Sequence, residues 1–140
     1  VGELSAVNGI AGSYAERVPV IAITGAPTRA VEQEGKYVHH SLGEGTFDDY
    51  RKMFEPITTA QAYITPDNAT TEIPRVINAA IQQRRPVHIH LPIDVALTEI
   101  EVSKPFKAEV EPQKTFKLIS IWFKTNLNRQ HNLSLLQAMK

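Results

Sequence analysis

Apolar residues recur at intervals of three and four over residues 2–18 and predict an amphipathic helix. Its buried stripe would comprise Leu4, Val7, Ile10, Ala11, Tyr14, Ala15 and Val18. Gly9 and Gly12 lie inside this segment, where a glycine costs about 1 kcal/mol relative to alanine. Two interpretations stay open: another element approaches the helix closely at these glycines, or the glycines are merely tolerated.

A continuous apolar run over residues 19–25, closed by Gly25-Ala26-Pro27, predicts a strand that is buried on both faces, as in a parallel sheet. Periodicity fades over residues 28–45, where polar residues dominate, and we predict a long connection across the edge of the sheet. Aromatic residues and methionine at helical spacing over residues 46–54 predict a short helix that ends before Pro56.

The following residues repeat the order strand, helix, strand. Residues 57–65 alternate loosely and predict a second strand. The strongest helical stripe of the chain follows at Ile73, Val76, Ile77, Ala80 and Ile81. Pro74 fits this helix if it begins near residue 70, because N–H groups of the first turn have no partner within the helix. Residues 87–91 predict a third strand, closed by Pro92-Ile93-Asp94.

This order of elements predicts an α/β fold, a three-layer arrangement in which helices flank a parallel sheet of three strands. The domain is predicted to span residues 1–95. Residues 96–114 are rich in Pro, Lys and Glu, which is typical of a linker between domains. Residues 115–140 form a tail of mixed apolar and polar character.

Composition narrows the classes of partner. The 140 residues include 15 Lys+Arg and 15 Asp+Glu, so the charge gives no reason to expect nucleic acid or an anionic membrane as partner. The sequence contains neither the roughly 18 consecutive apolar residues of a membrane span nor the pattern of a signal peptide. The absence of cysteine excludes disulfides and thiolate chemistry, and we expect a cytoplasmic location.

Two pairs of histidines are the candidate chemical groups. His39 and His40 lie on the predicted connection, where they could donate protons or orient an anionic substrate, although on the pattern alone surface histidines are the simpler interpretation. His88 and His90 share one face of the third strand and could chelate a metal. No third ligand follows at a recognisable spacing, so we predict packing or surface histidines and no metal site.

The sequence carries no strong nucleotide or hydrolase motif. The turn Gly43-Glu44-Gly45 lacks the last glycine of a dinucleotide-binding fingerprint, and Glu44 would repel a phosphate. No G-x-S-x-G, H-E-x-x-H or Walker pattern is present.

Five stretches carry a resemblance to a known family: residues 1–16, Gly25-Ala26-Pro27, His39-His40 with Leu42, Gly43 and Phe47, Ile73-Pro74-Arg75-Val76-Ile77, and Arg85-Pro86-Val87 leading to Leu91-Pro92-Ile93-Asp94-Val95. In this order they resemble the pyrimidine-binding (PYR) domain of thiamine-diphosphate-dependent 2-oxo-acid decarboxylases, such as the pyruvate, phenylpyruvate and indolepyruvate enzymes. The resemblance covers roughly residues 1–105. The last two stretches resemble most thiamine-diphosphate enzymes, whereas the first stretch and the histidine pair resemble the decarboxylase branch.

The resemblance implies roles for four residues. In that family the histidine pair lies in the active site and assists proton transfer after carbon dioxide leaves, which implies this role for His39 and His40. The residue that matches Val1 lies beside the aminopyrimidine of the cofactor, which implies cofactor contacts for Val1 and Gly2.

The resemblance also implies cofactors and partners for an intact parent protein. The parent would use thiamine diphosphate and Mg²⁺ to convert a 2-oxo acid to an aldehyde and carbon dioxide. It would be a homo-oligomer in which the PYR domain meets the diphosphate-binding domain of a neighbouring subunit. The family's catalytic glutamate would precede Val1, and its Gly-Asp-Gly motif for diphosphate and Mg²⁺ would follow far downstream. We therefore expect the isolated chain to bind neither group and to be inactive.

Both ends of the chain suggest a fragment. The sequence begins with Val1 rather than Met, as the interior of a longer protein would. Residues 126–140 can be encoded by one permitted set of codons that, read in a shifted frame, gives a different amino-acid sequence. That sequence resembles the first strand of the family's middle domain. We therefore predict that residues from about 125 onward are out of frame.

Two alternatives stay open at this point. The chain could derive from another thiamine-diphosphate enzyme, such as one of the acetolactate synthase type, although the adjacent histidines favour the decarboxylase branch. It could also be a non-catalytic interaction module that pairs with full-length subunits through the helix over residues 3–18.

Overall fold

The computed structural model describes residues 2–102 and 106–107, which belong to one compact unit. The predictions for Val1 and for the tail, and those for residues 103–105 and 108–114 of the linker, lie outside the described residues. In chain order the elements are a 3-10 helix (Gly2–Ala6), α1 (Val7–Ala15), β1 (Ile21–Ala26), α2 (Arg29–Gln33), α3 (Asp48–Met53), a 3-10 turn (Glu55–Ile57), β2 (Ala60–Tyr63), α4 (Ala69–Gln83), β3 (Val87–Pro92) and α5 (Ile93–Ala96).

The three strands form one parallel sheet in the order β1-β3-β2. The central strand, β3, pairs with both neighbours, and its Val87 lies opposite Ile21 on one side and Ala60 on the other. This arrangement confirms the predicted α/β fold with a parallel sheet and flanking helices.

The two faces of the sheet differ in chemistry because alternate residues of β3 point in opposite directions. Val87 and Ile89 face α4 and join the hydrophobic core, whose buried members are Ala62, Ile64, Ala69, Val76, Ala80, Val87, Ile89 and Val95. His88 and His90 face the opposite side, where they contact aromatic and polar side chains. We call this second side the histidine face.

Helix α4 matches the predicted stripe, with Val76 and Ala80 fully buried against the sheet. It begins one residue earlier than predicted, so Pro74 lies in the second turn, where it cannot donate to the carbonyl of Thr70. Thr70 is exposed, so water can satisfy that carbonyl. The helix ends where Arg84 adopts a left-handed conformation with φ 52°.

The prediction that the first strand is buried on both faces is wrong. β1 is an edge strand, and Ile23 keeps 61% of its surface exposed. The reason is that α4 packs mainly on β2 and β3, so the residues of β1 that point to the same side lie beyond its cover.

The N-terminal helix also differs from the prediction. Residues 2–6 form a 3-10 helix, α1 ends at Ala15, and only Ile10 of the predicted stripe is buried. A side chain at Gly9 or Gly12 would meet no other atom of the described chain within 4 Å, so these glycines mark no close approach there. Arg85 ties α1 to the start of β3, because its Nη1 donates to the carbonyl of Tyr14 over 2.8 Å.

The long connection contains one helix that the sequence pattern did not predict, α2. Thr28 caps it by accepting a hydrogen bond from the Val31 amide over 3.4 Å. The predicted helix over residues 46–54 is confirmed as α3. In the part of the chain that the structure describes, no helix has the length and apolar character needed to cross a membrane.

Candidate functional site

A cavity of about 760 Å³ opens on the histidine face, beside the carboxyl end of β1. Its walls come mainly from the 3-10 helix with Gly2 and Glu3, from β1 and Pro27 after it, and from the loop with His39 and His40. Phe47, Tyr50 and Phe54 supply an aromatic side. The carboxyl ends of strands in open α/β sheets are where ligands commonly bind, so this cavity is the candidate site.

The structure brings three of the four predicted site residues to this cavity. His39, His40 and Gly2 all line it, whereas Val1 lies outside the described residues. The two imidazole rings are neighbours, with centroids 5.2 Å apart and planes tilted by 57°. His40 has a positive φ of 63°, which costs a non-glycine residue free energy and is common at functional positions.

The loop that carries His39 and His40 spans residues 35–45, and its two ends meet in a narrow neck formed by Gly35 and Gly45. Gly35 and Gly45 both have positive φ, and a Cβ on Gly45 would lie 2.7 Å from the Gly35 carbonyl oxygen. Only glycine fits at this contact. Within the loop, Ser41 Oγ donates to the Val38 carbonyl over 2.6 Å and accepts from the Gly43 amide over 3.2 Å. The turn Gly43-Glu44-Gly45 therefore forms part of this neck.

His88 lies under the cavity and is fully buried. Its ring stacks on Phe54, with centroids 4.3 Å apart, and its Nε2 lies 2.8 Å from Thr24 Oγ1. Burial, followed by repulsion from His90 and Arg51, lowers the pKa of His88 from 6.5 to about 4. His88 is therefore neutral at physiological pH.

Two of the buried polar atoms that have no hydrogen-bond partner among the described residues are Glu3 Oε2 and the Tyr50 hydroxyl; the others are Gln61 Oε1 and the Nδ1 atoms of His88 and His90. Glu3 Oε2 lies 4.0 Å from His88 Nε2, and both Glu3 and Tyr50 line the cavity. Burial, with a smaller effect of the Glu3 charge, raises the pKa of the Tyr50 hydroxyl. Because unpartnered buried polar groups are costly, these two atoms offer hydrogen bonds to a ligand.

His90 occupies a separate polar cluster, at the other edge of the cavity. Its Nε2 lies 3.0 Å from Glu32 Oε1, and Tyr63 donates its hydroxyl to Glu32 Oε2 over 2.6 Å. The Tyr63 ring stacks on His90, with centroids 5.1 Å apart. Burial raises the pKa of Tyr63, and the hydrogen bond to Glu32 raises it further, so the hydroxyl stays protonated and donates.

Arg29 and Asp94 join α2 to α5 at the same end of the sheet. Asp94 accepts from the Arg29 amide over 3.1 Å and from Arg29 Nε over 2.8 Å. The hydrogen bond from the Arg29 side chain lowers the pKa of Asp94, against a smaller opposing effect of burial.

His88 and His90 do not act as a pair. Each contacts its own partners, Thr24 and Phe54 for His88, Glu32 and Tyr63 for His90. Both side chains are buried and packed against these partners. Across residues 2–102, no group of three His, Cys, Asp or Glu side chains is placed to hold a metal ion.

Sequence reasoning missed four polar residues of the histidine face: Glu3 and Tyr50, which line the cavity, and Glu32 and Tyr63, which contact His90. Glu3 and Tyr50 fall inside predicted helices, where a single polar side chain carries no signal of its own. Glu32 lies in α2, a segment whose sequence pattern predicts only irregular connection. The one available signal was the pair of histidines on alternate positions of a strand, which implies polar partners on that face.

No protein-family model matches this chain. Curated relatives do match it. Alpha-keto-acid decarboxylases from Mycobacterium avium and Mycobacterium tuberculosis are 47% and 48% identical to it, each over 96 residues. That from Mycobacterium ulcerans is also 48% identical over 96 residues.

These 96 residues are 69% of this chain but only 17% of the length of each relative. The chain therefore spans about one sixth of the curated relatives it matches. Identity at this level over this length identifies the matched part as a segment of the alpha-keto-acid decarboxylase family, to which the chain belongs.

Proposed function

We propose that this chain forms one wall of the active site of a thiamine-diphosphate-dependent decarboxylase that converts a 2-oxo acid to an aldehyde and carbon dioxide. The observation that carries the proposal is the position of His39 and His40, side by side on a cavity at the carboxyl end of the sheet. The family relationship supports the reaction class, because the relatives are named alpha-keto-acid decarboxylases.

His39 and His40 would handle the proton that the reaction consumes. A 2-oxo acid anion and one proton give an aldehyde and carbon dioxide, so a proton must reach the carbon that loses its carboxylate. Imidazole groups suit such a transfer near neutral pH, and both histidines are exposed on the cavity wall rather than buried in the core. The aromatic side with Phe47 and Phe54 would keep water away from the reacting carbon.

The residues of this wall fit the ring end of the proposed cofactor. Thiamine diphosphate supplies the carbanion chemistry of decarboxylation when it is bound. Gly2 would contact its aminopyrimidine ring, and the buried Glu3 Oε2 and Tyr50 hydroxyl could hydrogen-bond the amino group and a ring nitrogen. We place the diphosphate and Mg²⁺ on other parts of a parent protein, and we propose that the isolated chain binds neither and is inactive. A cytoplasmic location belongs to the same proposal.

A second candidate function is that of an interaction module that pairs with full-length subunits. The observation in its favour is the edge strand β1, whose Ile21 and Ile23 keep 44% and 61% of their surface exposed beyond the cover of α4. Exposed apolar residues on an open edge promote association with another chain. A homo-oligomeric parent would use the same face.

The first candidate is tested by transplanting the segment. The matching residues of the Mycobacterium tuberculosis alpha-keto-acid decarboxylase are replaced by those of this chain, and aldehyde release is measured with pyruvate, phenylpyruvate and indolepyruvate. We expect the hybrid to turn over at least one of these acids, and the isolated chain to turn over none. A hybrid that folds, assembles and releases no aldehyde would contradict the proposal. Co-purification of the isolated chain with the full-length relative would favour the interaction module.

A further inference from the structure

The loop that carries His39 and His40 is fixed to the rest of the fold through α2. At the neck, the Cβ positions of Gly35 and Gly45 would lie 3.2 Å and 2.7 Å from the carbonyl oxygen of the opposite glycine, so the two chain segments touch. The amides of Gly35 and Lys36 donate to the carbonyls of Glu32 and Val31, which joins the neck directly to α2. A shift of α2 would therefore move the histidine loop with it.

α2 depends on side-chain anchors because it has only five residues. A helix of this length is not stable by itself. Glu32 is the buried anchor: its side chain is 10% exposed, and its two carboxylate oxygens are each used, one by His90 Nε2 and one by the Tyr63 hydroxyl. The carboxylate can only accept, so His90 Nε2 carries the hydrogen. The other anchor, Arg29 with Asp94, is 37% and 30% exposed, and water competes with it more effectively.

We propose that Glu32 is a positioning residue that sets the place of His39 and His40 at the cavity, by locking α2 to His90 and Tyr63 on the histidine face of the sheet. This inference rests on the proposed role of the two histidines. Glu32 acts through the neck at Gly35 and Gly45, because its own carbonyl accepts from the Gly35 amide.

The position of Glu32 separates this role from a general role in folding. The hydrophobic core lies on the opposite face of the sheet, around Val76 and Ala80, and none of its members contacts the Glu32 carboxylate in a hydrogen bond. Removing the carboxylate should release α2 and the loop while the core stays intact.

The test is NMR relaxation on the full 140-residue chain, labelled with ¹⁵N and ¹³C. The variants are Glu32→Ala, which removes both hydrogen bonds, and Glu32→Gln, whose amide can accept from His90 Nε2 and donate to the Tyr63 oxygen. Glu34→Ala is the matched control, because Glu34 lies two residues away, is exposed and pairs only with Lys36 among the ion pairs of the described chain. The readouts are the order parameters of the His39 and His40 amides, the proximity of their two rings, and the order parameters of α4.

In Glu32→Ala we expect the His39 and His40 order parameters to fall from about 0.85 to below about 0.6, with α4 unchanged and the two imidazole rings no longer held side by side. In Glu32→Gln we expect the loop to stay ordered, because the amide oxygen can accept from His90 Nε2 while the amide nitrogen donates to the Tyr63 oxygen. Glu34→Ala should match the wild type.

A Glu32→Ala loop as ordered as that of the wild type would overturn the proposal. If α4 loses order in that variant too, Tyr63→Phe decides, because it removes one hydrogen bond and keeps the ring stack. If the Tyr63→Phe variant loses order only in the loop that carries His39 and His40, the proposal is supported. If that loop stays as ordered as in the wild type, the proposal is overturned. None of these NMR readouts requires turnover. A negative result for Glu32 would therefore leave the decarboxylase proposal intact, and an inactive hybrid enzyme would leave the Glu32 proposal intact.

Discussion

The fully buried His88 gives a specific prediction about acid stability. In an unfolded chain its pKa is close to 6.5, whereas burial and the charges of His90 and Arg51 lower it to about 4 in the folded protein. The unfolded state therefore binds more protons than the folded state between these two values. It follows that His88 makes the protein less stable as the pH falls from about 6.5 to about 4, and has no such effect above about pH 7.

The magnitude follows from the two pKa values. Linkage gives a loss of about 2 kcal/mol between about pH 7.5 and pH 5, and about 3 kcal/mol by pH 4. We predict that His88→Phe, which preserves the stack on Phe54 and removes the titrating group, abolishes this part of the acid sensitivity. The variant also loses the hydrogen bond to Thr24 Oγ1, which changes its stability at every pH. The test therefore compares how the unfolding free energy of wild type and variant changes with pH, and not its value at neutral pH.

The assay is urea unfolding followed by far-UV circular dichroism at several pH values between about 5 and 7.5. The difference in unfolding free energy between wild type and His88→Phe should change by about 2 kcal/mol over this range. His39→Gln is the matched control, because it replaces an exposed histidine instead of the buried one. Parallel pH curves for wild type and His88→Phe would refute the reasoning.

Three further predictions concern the neck, α1 and the Arg29 anchor. Gly45→Ala should destabilise the protein by about 2 kcal/mol in urea unfolding, because its φ is positive and its Cβ would lie 2.7 Å from the Gly35 oxygen; no loss would refute the close contact. Gly9→Ala should raise stability by about 0.5–1 kcal/mol, because the position is helical and open, and a loss would show that a neighbour packs there. Asp94→Asn should lower stability at neutral pH, and the difference should shrink with added salt. It should also shrink as the pH falls below the ordinary carboxyl pKa of about 3.9, because the unfolded chain then binds a proton before the folded carboxyl, whose pKa is lowered; a difference independent of salt and pH would contradict the ion pair with Arg29.

The sequence pattern predicted the elements whose periodicity reflects packing on one face. Helix α4 and strand β3 were predicted almost residue by residue, because Val76, Ala80 and Val87 must all reach the same core. The family resemblance directed attention to His39 and His40, which composition and spacing alone did not separate from surface histidines.

What could not be predicted depends on contacts between distant parts of the chain. β1 is as apolar as an interior strand, and only the order of strands in the sheet makes it an edge with Ile23 exposed. Glu32 and His90 are 58 residues apart, and nothing in the local pattern of either pairs them. The 3-10 start of the N-terminal segment likewise has no apolar period of its own.

The central claim is that His39 and His40 handle protons in a decarboxylase active site, and turnover of the hybrid enzyme tests it most directly. Aldehyde release is compared between the hybrid, its His39→Gln and His40→Gln variants, and Tyr37→Phe, a control on the same loop whose side chain is 78% exposed. The account predicts that each histidine variant lowers kcat by about 10²–10⁴-fold while the control stays near the parent hybrid. Histidine variants that fold, assemble and retain the kcat of the parent hybrid would contradict it.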